Sequence, residues 1–394
     1  MHLITTTADL AAACDALAAH DYVAVDTEFL RETTFWPKLC VVQMAGPDTA
    51  VVVDALAEGL DMAPFLDLMK NERVMKVFHS GRQDIEIVFN LGGFVPHPVF
   101  DTQVAAMVCG FGDSVSYDQL VSRISGHHID KSSRFTDWTR RPLTQKQYDY
   151  ALSDVTHLRD VYHHLNKRLA EQGRADWVAE EMEVLTSHET YDLDPVNAWT
   201  RLKLRVKKPI ELAILKEIAA WREREARARD VPRSRILKDD AIFEIAADQP
   251  KDASALGNLR SLSKGFERSR AGEEILACVK RAMAIPRAEL PSIPRGRPMP
   301  DGAGASVDLM KVLLKLVCEK HGVASKVVAT VDELEAIATD DDADVPALKG
   351  WRRELFGAEA LKLKHGRLAL SFDGRKVVAV DCEPPERPAK NGGK

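Results

Sequence analysis

The stretch Val23-Ala-Val-Asp-Thr-Glu-Phe29 combines apolar residues, which favour a buried strand, with two acidic residues near its end. Because side chains alternate between the two faces of a strand, Asp26 and Glu28 point to the same face. Two neighbouring carboxylates at the end of an apolar strand repel each other and lose contact with water. A cation would neutralise them, and oxygen ligands favour Mg²⁺ or Mn²⁺ over zinc. An acidic strand end that faces solvent is an equally good interpretation of this pair alone.

The segments that flank this stretch predict an α/β fold with a mixed sheet. Short apolar runs separated by short loops predict an antiparallel meander of three strands, at residues 22–29, 38–45 and 50–54. Strands that alternate with helices further along are typical of a parallel half-sheet. The predicted strands are at residues 74–78 and 98–100, and the predicted helices are at 8–19, 64–71, 81–91, 102–109, 144–171 and 176–186.

Two more acidic positions fall at places where a functional site could be built. Asp84 lies in the first turn of a predicted helix that follows a buried strand, although the helix dipole favours an acidic residue there without any function. Tyr150 and Asp154 are four residues apart, so they share one face of a helix. That spacing is common on helices, and taken singly neither feature identifies a site.

In combination, these residues form an ordered set that resembles the DEDD superfamily of 3′–5′ exonucleases, in its tyrosine-bearing branch. The surrounding motifs resemble the ribonuclease D family more closely: Asp26-Thr-Glu-Phe29, Thr34-Phe-Trp-Pro-Lys-Leu39 with Gln43, His79-Ser-Gly-x-x-Asp84 and Phe100-Asp-Thr-Gln103. The resemblance covers about residues 1–170 and implies a ribonuclease-H-like mixed sheet.

The resemblance also implies a mechanism with two divalent metal ions, Mg²⁺ or Mn²⁺. Asp26 would bridge both ions, Glu28 and Asp154 would complete one site, and Asp84 would hold the other. A phenol with a pKa near ~10 is a poor general base, so Tyr150 is expected to orient the attacking water. The expected partner is RNA with a free 3′ end, tRNA precursors and other structured RNAs by family analogy, and the expected product is a nucleoside 5′-monophosphate.

Three further residues of these motifs have both a functional and a structural interpretation. Phe29 is expected to stack on a terminal base or to belong to the core, and His79 to contact substrate or to fill the end of a strand. Asp101 recurs in the family motif, yet a helix N-cap explains it equally well.

The charge of the chain is unevenly distributed along its length. The formal net charge is −6, but residues 1–200 carry −14, residues 201–300 carry +9 and residues 301–394 carry −1. Such asymmetry indicates contact with nucleic acid. The candidate phosphate contacts in the basic block are Arg205, Lys207, Lys208, Arg233 and Arg235. A solvated helix face with ion pairs is the alternative, because Glu223 and Glu225 lie between the basic residues.

We predict six segments along the chain. They are the exonuclease domain (1–170), a helical connector (171–208), an all-helical module that resembles the helicase-and-RNase-D C-terminal (HRDC) domain (209–288), a Pro/Gly linker (289–304), a smaller C-terminal HRDC-like α+β domain (305–383) and a disordered tail (384–394). Helices are predicted at 211–230, 239–247, 272–284, 307–321 and 332–338, and a closing hairpin at 367–372 and 375–380.

Composition excludes several other classes of protein. No apolar run reaches the ~18 residues of a membrane-spanning helix, and the six cysteines form no C-x-x-C pair, so we expect a cytoplasmic protein without a membrane partner. The chain has no P-loop motif, so no nucleotide cofactor is expected. A 3′–5′ DNA exonuclease and a catalytically silent RNA-binding protein remain as alternatives, and the oligomeric state stays open.

Overall fold

A six-stranded mixed sheet forms the centre of the N-terminal half in the computed structural model, which describes residues 3–192, 194–294 and 303–383. Its order is β1-β4-β3-β2-β5-β6. The strands are β1 (Leu3–Ile4), β2 (Tyr22–Leu30), β3 (Lys38–Ala45), β4 (Ala50–Asp54), β5 (Met75–Phe78) and β6 (Val99–Asp101).

Both halves of the predicted sheet are confirmed. Strands β2, β3 and β4 pair antiparallel, and β5 and β6 continue the sheet parallel to β2. The bounds of β3 and β4 are those predicted, β2 and β5 differ from the prediction by one residue at one end, and β6 is displaced by one residue. The sequence analysis missed β1, which pairs parallel with β4. A strand of two residues is too short to show an alternating pattern.

Helices cover the sheet and connect its strands. They are α1 (Thr7–Ala18), α2 (Ala63–Lys70), α3 (Arg82–Gly92), α4 (Thr102–Val108), α5 (Tyr117–Ser125), α6 (Gln145–Gln172) and α7 (Ala175–Leu185), with 3-10 turns at Lys131–Ser133, His188–Thr190 and Pro195–Arg201. Helix α6 packs on β2, β3 and β4. Its start is sharply defined, because the side chain of Thr144 caps the Gln147 N–H and Gln147 caps the Thr144 N–H in return. The sequence analysis missed α5.

The basic block folds into a helical module with a hydrophobic core of its own. Its helices are α8 (Pro209–Ala228), α9 (Arg233–Ile236), α10 (Asp239–Asp248), α11 (Ala253–Gly257) and α12 (Arg270–Met283), with 3-10 turns at Phe266–Arg268 and Arg287–Glu289. The three longer helices were predicted to within two residues. The short helices α9 and α11 were missed, because one turn of helix has no measurable periodicity.

The C-terminal segment packs against the first domain and shares its core. It contains α13 (Ala303–His321), α14 (Ser325–Val328), α15 (Val331–Thr339), a 3-10 turn (Pro346–Leu348), α16 (Gly350–Arg352), a π-helical turn (Arg353–Gly357), α17 (Ala358–Lys364), β7 (Leu368–Phe372) and β8 (Val377–Asp381). Trp351 stacks on Trp177 of α7 at 4.1 Å between ring centroids, and the Ala324 N–H donates to the Met107 carbonyl of α4. The boundaries of the six predicted segments stay a prediction. Residues 305–383 do not form an isolated core.

Parts of two predicted segments lie outside the described residues. These are the tail at 384–394 and half of the linker, residues 295–302. None of the helices within the described ranges has the length and apolar character needed to cross a membrane.

The substitution Gly110→Ala is expected to weaken the docking of the C-terminal segment. Gly110 has a φ of +81°, and a Cβ at this position would lie 2.4 Å from the backbone oxygen of Gly322. Gly112 has a φ of +106°, but a Cβ there meets no atom within 4 Å. Gly112→Ala is therefore a matched control for backbone strain alone, at ~1–2 kcal/mol. Because of the overlap, Gly110→Ala should lower the free energy of unfolding by about 1–3 kcal/mol more than Gly112→Ala does, as measured by thermal denaturation. Equal losses of stability in the two variants would contradict the docking contact.

Candidate active site

A cleft of about 560 Å³ opens between β2, the start of α3, the middle of α6 and the segments around residues 114–118 and 129–135. The four carboxylates predicted to hold metal all line this cleft, as do Tyr150, Phe29 and His79. The lining residues used below are Asp26, Thr27, Glu28, Phe29, His79, Gln83, Asp84, Gln103, Tyr117, Lys131, Arg134, Phe135, Tyr150 and Asp154.

Three of the carboxylates converge on one point. Oxygen atoms of Asp26, Glu28 and Asp154 lie within 4.8 Å of one another. The alternation of β2 places the first two on one face, and α6 crosses the sheet so that Asp154 meets them. Asp84 enters from the first turn of α3, where its Oδ1 accepts a hydrogen bond of 2.5 Å from the hydroxyl of Thr27.

Burial raises the pKa of all four carboxyl groups, and neighbouring carboxylates of the cluster raise those of Asp26 and Glu28 further. Burial is the largest cause for each of them. The pKa of Asp26 lies well above its usual range, because three neighbouring carboxylates add to the burial. The pKa rises to about 9 for Glu28, to about 7 for Asp154 and to about 6 for Asp84.

This donor set fits a hard divalent cation. All the converging ligand atoms are carboxylate oxygens, which suit Mg²⁺ and Mn²⁺. Burial of four carboxyl groups in one cleft opposes their simultaneous ionisation, and a divalent cation would supply the compensating positive charge. Of the two interpretations of the acidic strand end, the geometry favours the cation site over a solvated surface, because the carboxylates face each other inside a cleft.

Hydrogen bonds from neighbouring strands hold the acidic groups in place. The Gln43 side chain on β3 donates to Asp26 at 3.2 Å. Asp101 accepts from the Ser80 and Gly81 N–H groups at 3.0 and 2.8 Å, in the turn that leads to Asp84. It also caps α4 by accepting from the Gln103 N–H, which agrees with its interpretation as an N-cap.

Tyr150 lies against the acidic cluster. Burial and the nearby Asp154, Glu28 and Asp26 raise the pKa of its phenol above 10. The same causes, burial first and then Asp154 and Asp26, raise the pKa of Tyr117 on the opposite wall. Both phenols therefore stay protonated at neutral pH and act as hydrogen-bond donors rather than as general bases.

His79 and Phe29 have mixed environments. Phe29 lines the cleft and also packs against the core, so both of its interpretations hold. His79 Nδ1 lies 3.0 Å from the Thr102 hydroxyl, which itself donates to the Phe78 carbonyl. Thr102 thus accepts from a protonated Nδ1, and Nε2 is left as an acceptor. Within the described residues, this buried Nε2 has no hydrogen-bond partner.

The sequence analysis missed a cationic and aromatic wall of the cleft. Arg134 and Lys131 lower the pKa of Asp154, against the larger effect of its burial. Phe135 is 89% exposed, and the Arg134 guanidinium lies 5.1 Å from its ring centroid. The only sequence signal was a short run of basic and aromatic residues in a segment without periodicity, which does not indicate what it faces.

The basic candidates of the middle module lie away from the cleft lining. Arg205 pairs with Asp240 at 3.3 Å, Lys208 pairs with Glu211 at 3.5 Å, and Arg233 pairs with the buried Glu223. Lys207 and Arg235 are exposed. The ion-pair alternative thus describes three of the five, and contact of all five with nucleic acid stays a prediction.

Comparison with known families matches two parts of the chain. Residues 1–170 match the family model described as 3′-5′ exonuclease, and residues 211–279 match the model of the HRDC domain. The second match lies within the module predicted at 209–288.

Similarity to individual proteins extends over nearly the whole chain. A ribonuclease D of Nitrobacter hamburgensis is 61% identical over 97% of this chain and 100% of its own length. A ribonuclease D of Bartonella henselae is 47% identical over 96% of this chain and 93% of its own length. Among solved structures, Escherichia coli RNase D, described as an exoribonuclease involved in structured RNA processing, superposes with a TM-score of 0.80 at 28% identity, covering 92% of this chain and 98% of that one.

The substitution Asp26→Asn is expected to stabilise the metal-free protein. It removes one of four carboxylates that repel each other in a buried site, so the melting temperature in EDTA should rise by about 2–4 °C, the equivalent of ~1 kcal/mol in a domain of this kind. It should also reduce the rise in melting temperature that Mn²⁺ causes in the wild type. The measurement is thermal denaturation with EDTA or Mn²⁺, in buffer above the pKa of Asp154.

The control is Asp160→Asn, which neutralises an exposed carboxylate on α6. It should leave the Mn²⁺ effect intact. A lower melting temperature of Asp26→Asn in EDTA, or a full Mn²⁺ effect in that variant, would contradict the charge-repulsion account.

Proposed function

Because the chain belongs to the ribonuclease D family, we propose that this 3′–5′ exoribonuclease removes nucleotides one at a time and releases them as nucleoside 5′-monophosphates. The observation that carries the proposal is the convergence of Asp26, Glu28 and Asp154, with Asp84 beside them, in one open cleft.

The proposal includes two divalent cations, Mg²⁺ or Mn²⁺, held by these carboxylates. Asp26 is central to the cluster and is assigned to both ions, Glu28 and Asp154 to one, and Asp84 to the other. When bound, the cations supply positive charge that activates a water molecule for in-line attack and stabilises the leaving 3′-oxygen.

The other cleft residues are assigned to positioning. The protonated Tyr150 hydroxyl orients the attacking water by a hydrogen bond. Arg134 and Lys131 offer positive charge on the wall facing Asp154, where a phosphate of the substrate carries negative charge. Phe29 offers an aromatic face on which the terminal base can stack.

The proposed substrates are tRNA precursors and other structured RNAs in the cytoplasm. Support comes from the E. coli relative, which is described as acting in structured RNA processing and matches this chain over nearly its full length. The basic middle module suits sequence-neutral contact with phosphates, through residues such as Arg205, Lys207, Lys208, Arg233 and Arg235. The six cysteines are all unpaired, which fits a reducing compartment.

Of the alternatives, a silent RNA-binding protein is disfavoured because all four carboxylates are present and face one cleft. A DNA exonuclease would differ from an exoribonuclease in that its site would not recognise the ribose 2′-hydroxyl. His79, which lines the cleft, is assigned to this recognition.

The wild type should release mononucleotides from RNA with Mg²⁺ or Mn²⁺ and none with EDTA. Asp26→Ala should reduce the rate by about 10³-fold, since it removes a group on which the charge of the site depends. Tyr150→Phe should reduce the rate by about 10²-fold through loss of water positioning. The measurement is a time course of nucleoside 5′-monophosphates by chromatography, with binding of RNA to Asp26→Ala followed separately. Equal release with EDTA would contradict the proposal.

The substitution His79→Phe should act on RNA more than on DNA ends. If the His79 imidazole contacts the terminal 2′-hydroxyl, kcat/KM should fall about fivefold, equivalent to ~1 kcal/mol, on an RNA with a 3′-terminal ribose. On the same RNA ending in a deoxyribose, the effect should be absent. His164→Phe, at an exposed position of α6, is the control. An equal loss on both substrates would show that His79 acts through the packing of the site instead.

A further inference from the structure

A second cavity, of about 380 Å³, adjoins the catalytic cleft. Gln83 lines both of them. Because Gln83 precedes Asp84 in the first turn of α3, the two cavities meet at the residue next to one of the acidic groups. A polymer whose 3′ end occupies the cleft can therefore extend into the second cavity.

The second cavity is lined by three arginines from three separate segments. Arg31 comes just after β2, Arg82 begins α3, and Arg201 ends the 3-10 turn that precedes the middle module. The lining contains one carboxylate, Glu86, which Arg31 binds through two hydrogen bonds of 2.7 and 3.0 Å. The charged lining groups thus carry an excess of two positive charges.

The remaining hydroxyl groups of the lining already donate elsewhere. Tyr191 donates to the Leu185 carbonyl at 2.7 Å, and Thr190 donates to the Val184 carbonyl at 3.0 Å. Arg82 is exposed, and no ion pair involves it within the described ranges 3–192, 194–294 and 303–383. The donors available to a ligand are therefore mainly guanidinium groups.

The charge of Arg201 is only weakly compensated. Its nearest carboxylate, the buried Glu223, lies 3.9 Å away and also binds Arg227 and Arg233. One carboxylate thus serves three arginines, and the Arg201 side chain is 42% exposed.

Contacts between the middle module and the first domain hold Arg201 at the rim. Asp230 accepts hydrogen bonds of 3.0 Å from the Phe35 and Trp36 N–H groups. The Arg233 guanidinium lies 4.5 Å from the centroid of the Phe35 ring. The cavity is therefore assembled from two parts of the chain that meet only in the folded protein.

We propose that this cavity binds a backbone phosphate of the RNA strand, upstream of the nucleotide whose bond is cut. The inference rests on the proposed function. Guanidinium groups match the geometry of phosphate oxygens and bind them through paired hydrogen bonds, whatever the base sequence. Through Arg201, the turn that leads into the middle module would contact the same strand that the first domain degrades.

The test compares the full-length wild type with Arg82→Gln and Arg201→Gln on a dinucleotide and on a longer oligoribonucleotide. The dinucleotide carries a 5′-hydroxyl, so its only phosphate is the one that is cut, and no upstream phosphate is present to bind in the second cavity. Each substitution should lower kcat/KM about tenfold more on the longer RNA than on the dinucleotide. It should also reduce the slope of log affinity against log salt by about one. Arg82→Lys, which keeps the charge, should restore part of the loss.

The matched control is Arg268→Gln, at a position that is 86% exposed and outside this cavity. It should show no length dependence. Equal losses on both substrates, or no loss on either, would overturn the proposal. A change confined to inhibition by free nucleoside monophosphate would also overturn it, since the cavity would then hold the released product. A failure of the proposed function would appear separately, as a wild type that releases no nucleotide from either RNA.

Discussion

Mutual repulsion among four carboxylates in one cleft is the constraint on which the rest of the structure depends. Burial raises the pKa of each group, and neighbouring carboxylates raise those of Asp26 and Glu28 further, so the metal-free site opposes the folding that creates it. A protein tolerates such a site when the scaffold is rigid and a bound cation compensates the negative charge. This links stability to function, because the same groups that strain the metal-free fold form the cation site.

The scaffold meets this constraint by distributing the acidic groups over three elements. Strand β2 presents Asp26 and Glu28, α3 presents Asp84, and α6 presents Asp154. Hydrogen bonds from Thr27, Gln43 and the Asp101-bound turn then fix their directions. Since each element is anchored in the main core, the repulsion cannot relax by movement of one side chain. The arginine-lined cavity also gathers like charges from separate elements, with Glu86 bound to Arg31 and Glu223 3.9 Å from Arg201.

Much of the fold could be predicted because the sequence patterns that determine its strands and longer helices are local. The strands Lys38–Ala45 and Ala50–Asp54 agree with the prediction at both ends, since β-branched runs and short loops determine them. The two-residue β1, the short helices α9 and α11, and α5 were missed. In the site, the acidic residues and Tyr150 were found through their order along the chain. Arg134, Lys131 and Phe135 were not, because they lie in a segment that has no period to reveal which way it faces.

The sequence by itself determined which residues could form the acidic cluster: four carboxylates and a tyrosine at spacings that strands and helices convert into shared faces. Only the tertiary structure decided how distant parts combine. It joined the C-terminal segment to the first core through Trp351 and Trp177. It also brought Arg31, Arg82 and Arg201 to one cavity. The physical reason is that periodicity records the neighbours of a residue along its own element. Contacts between elements depend on the packing of the whole chain, which no local pattern contains.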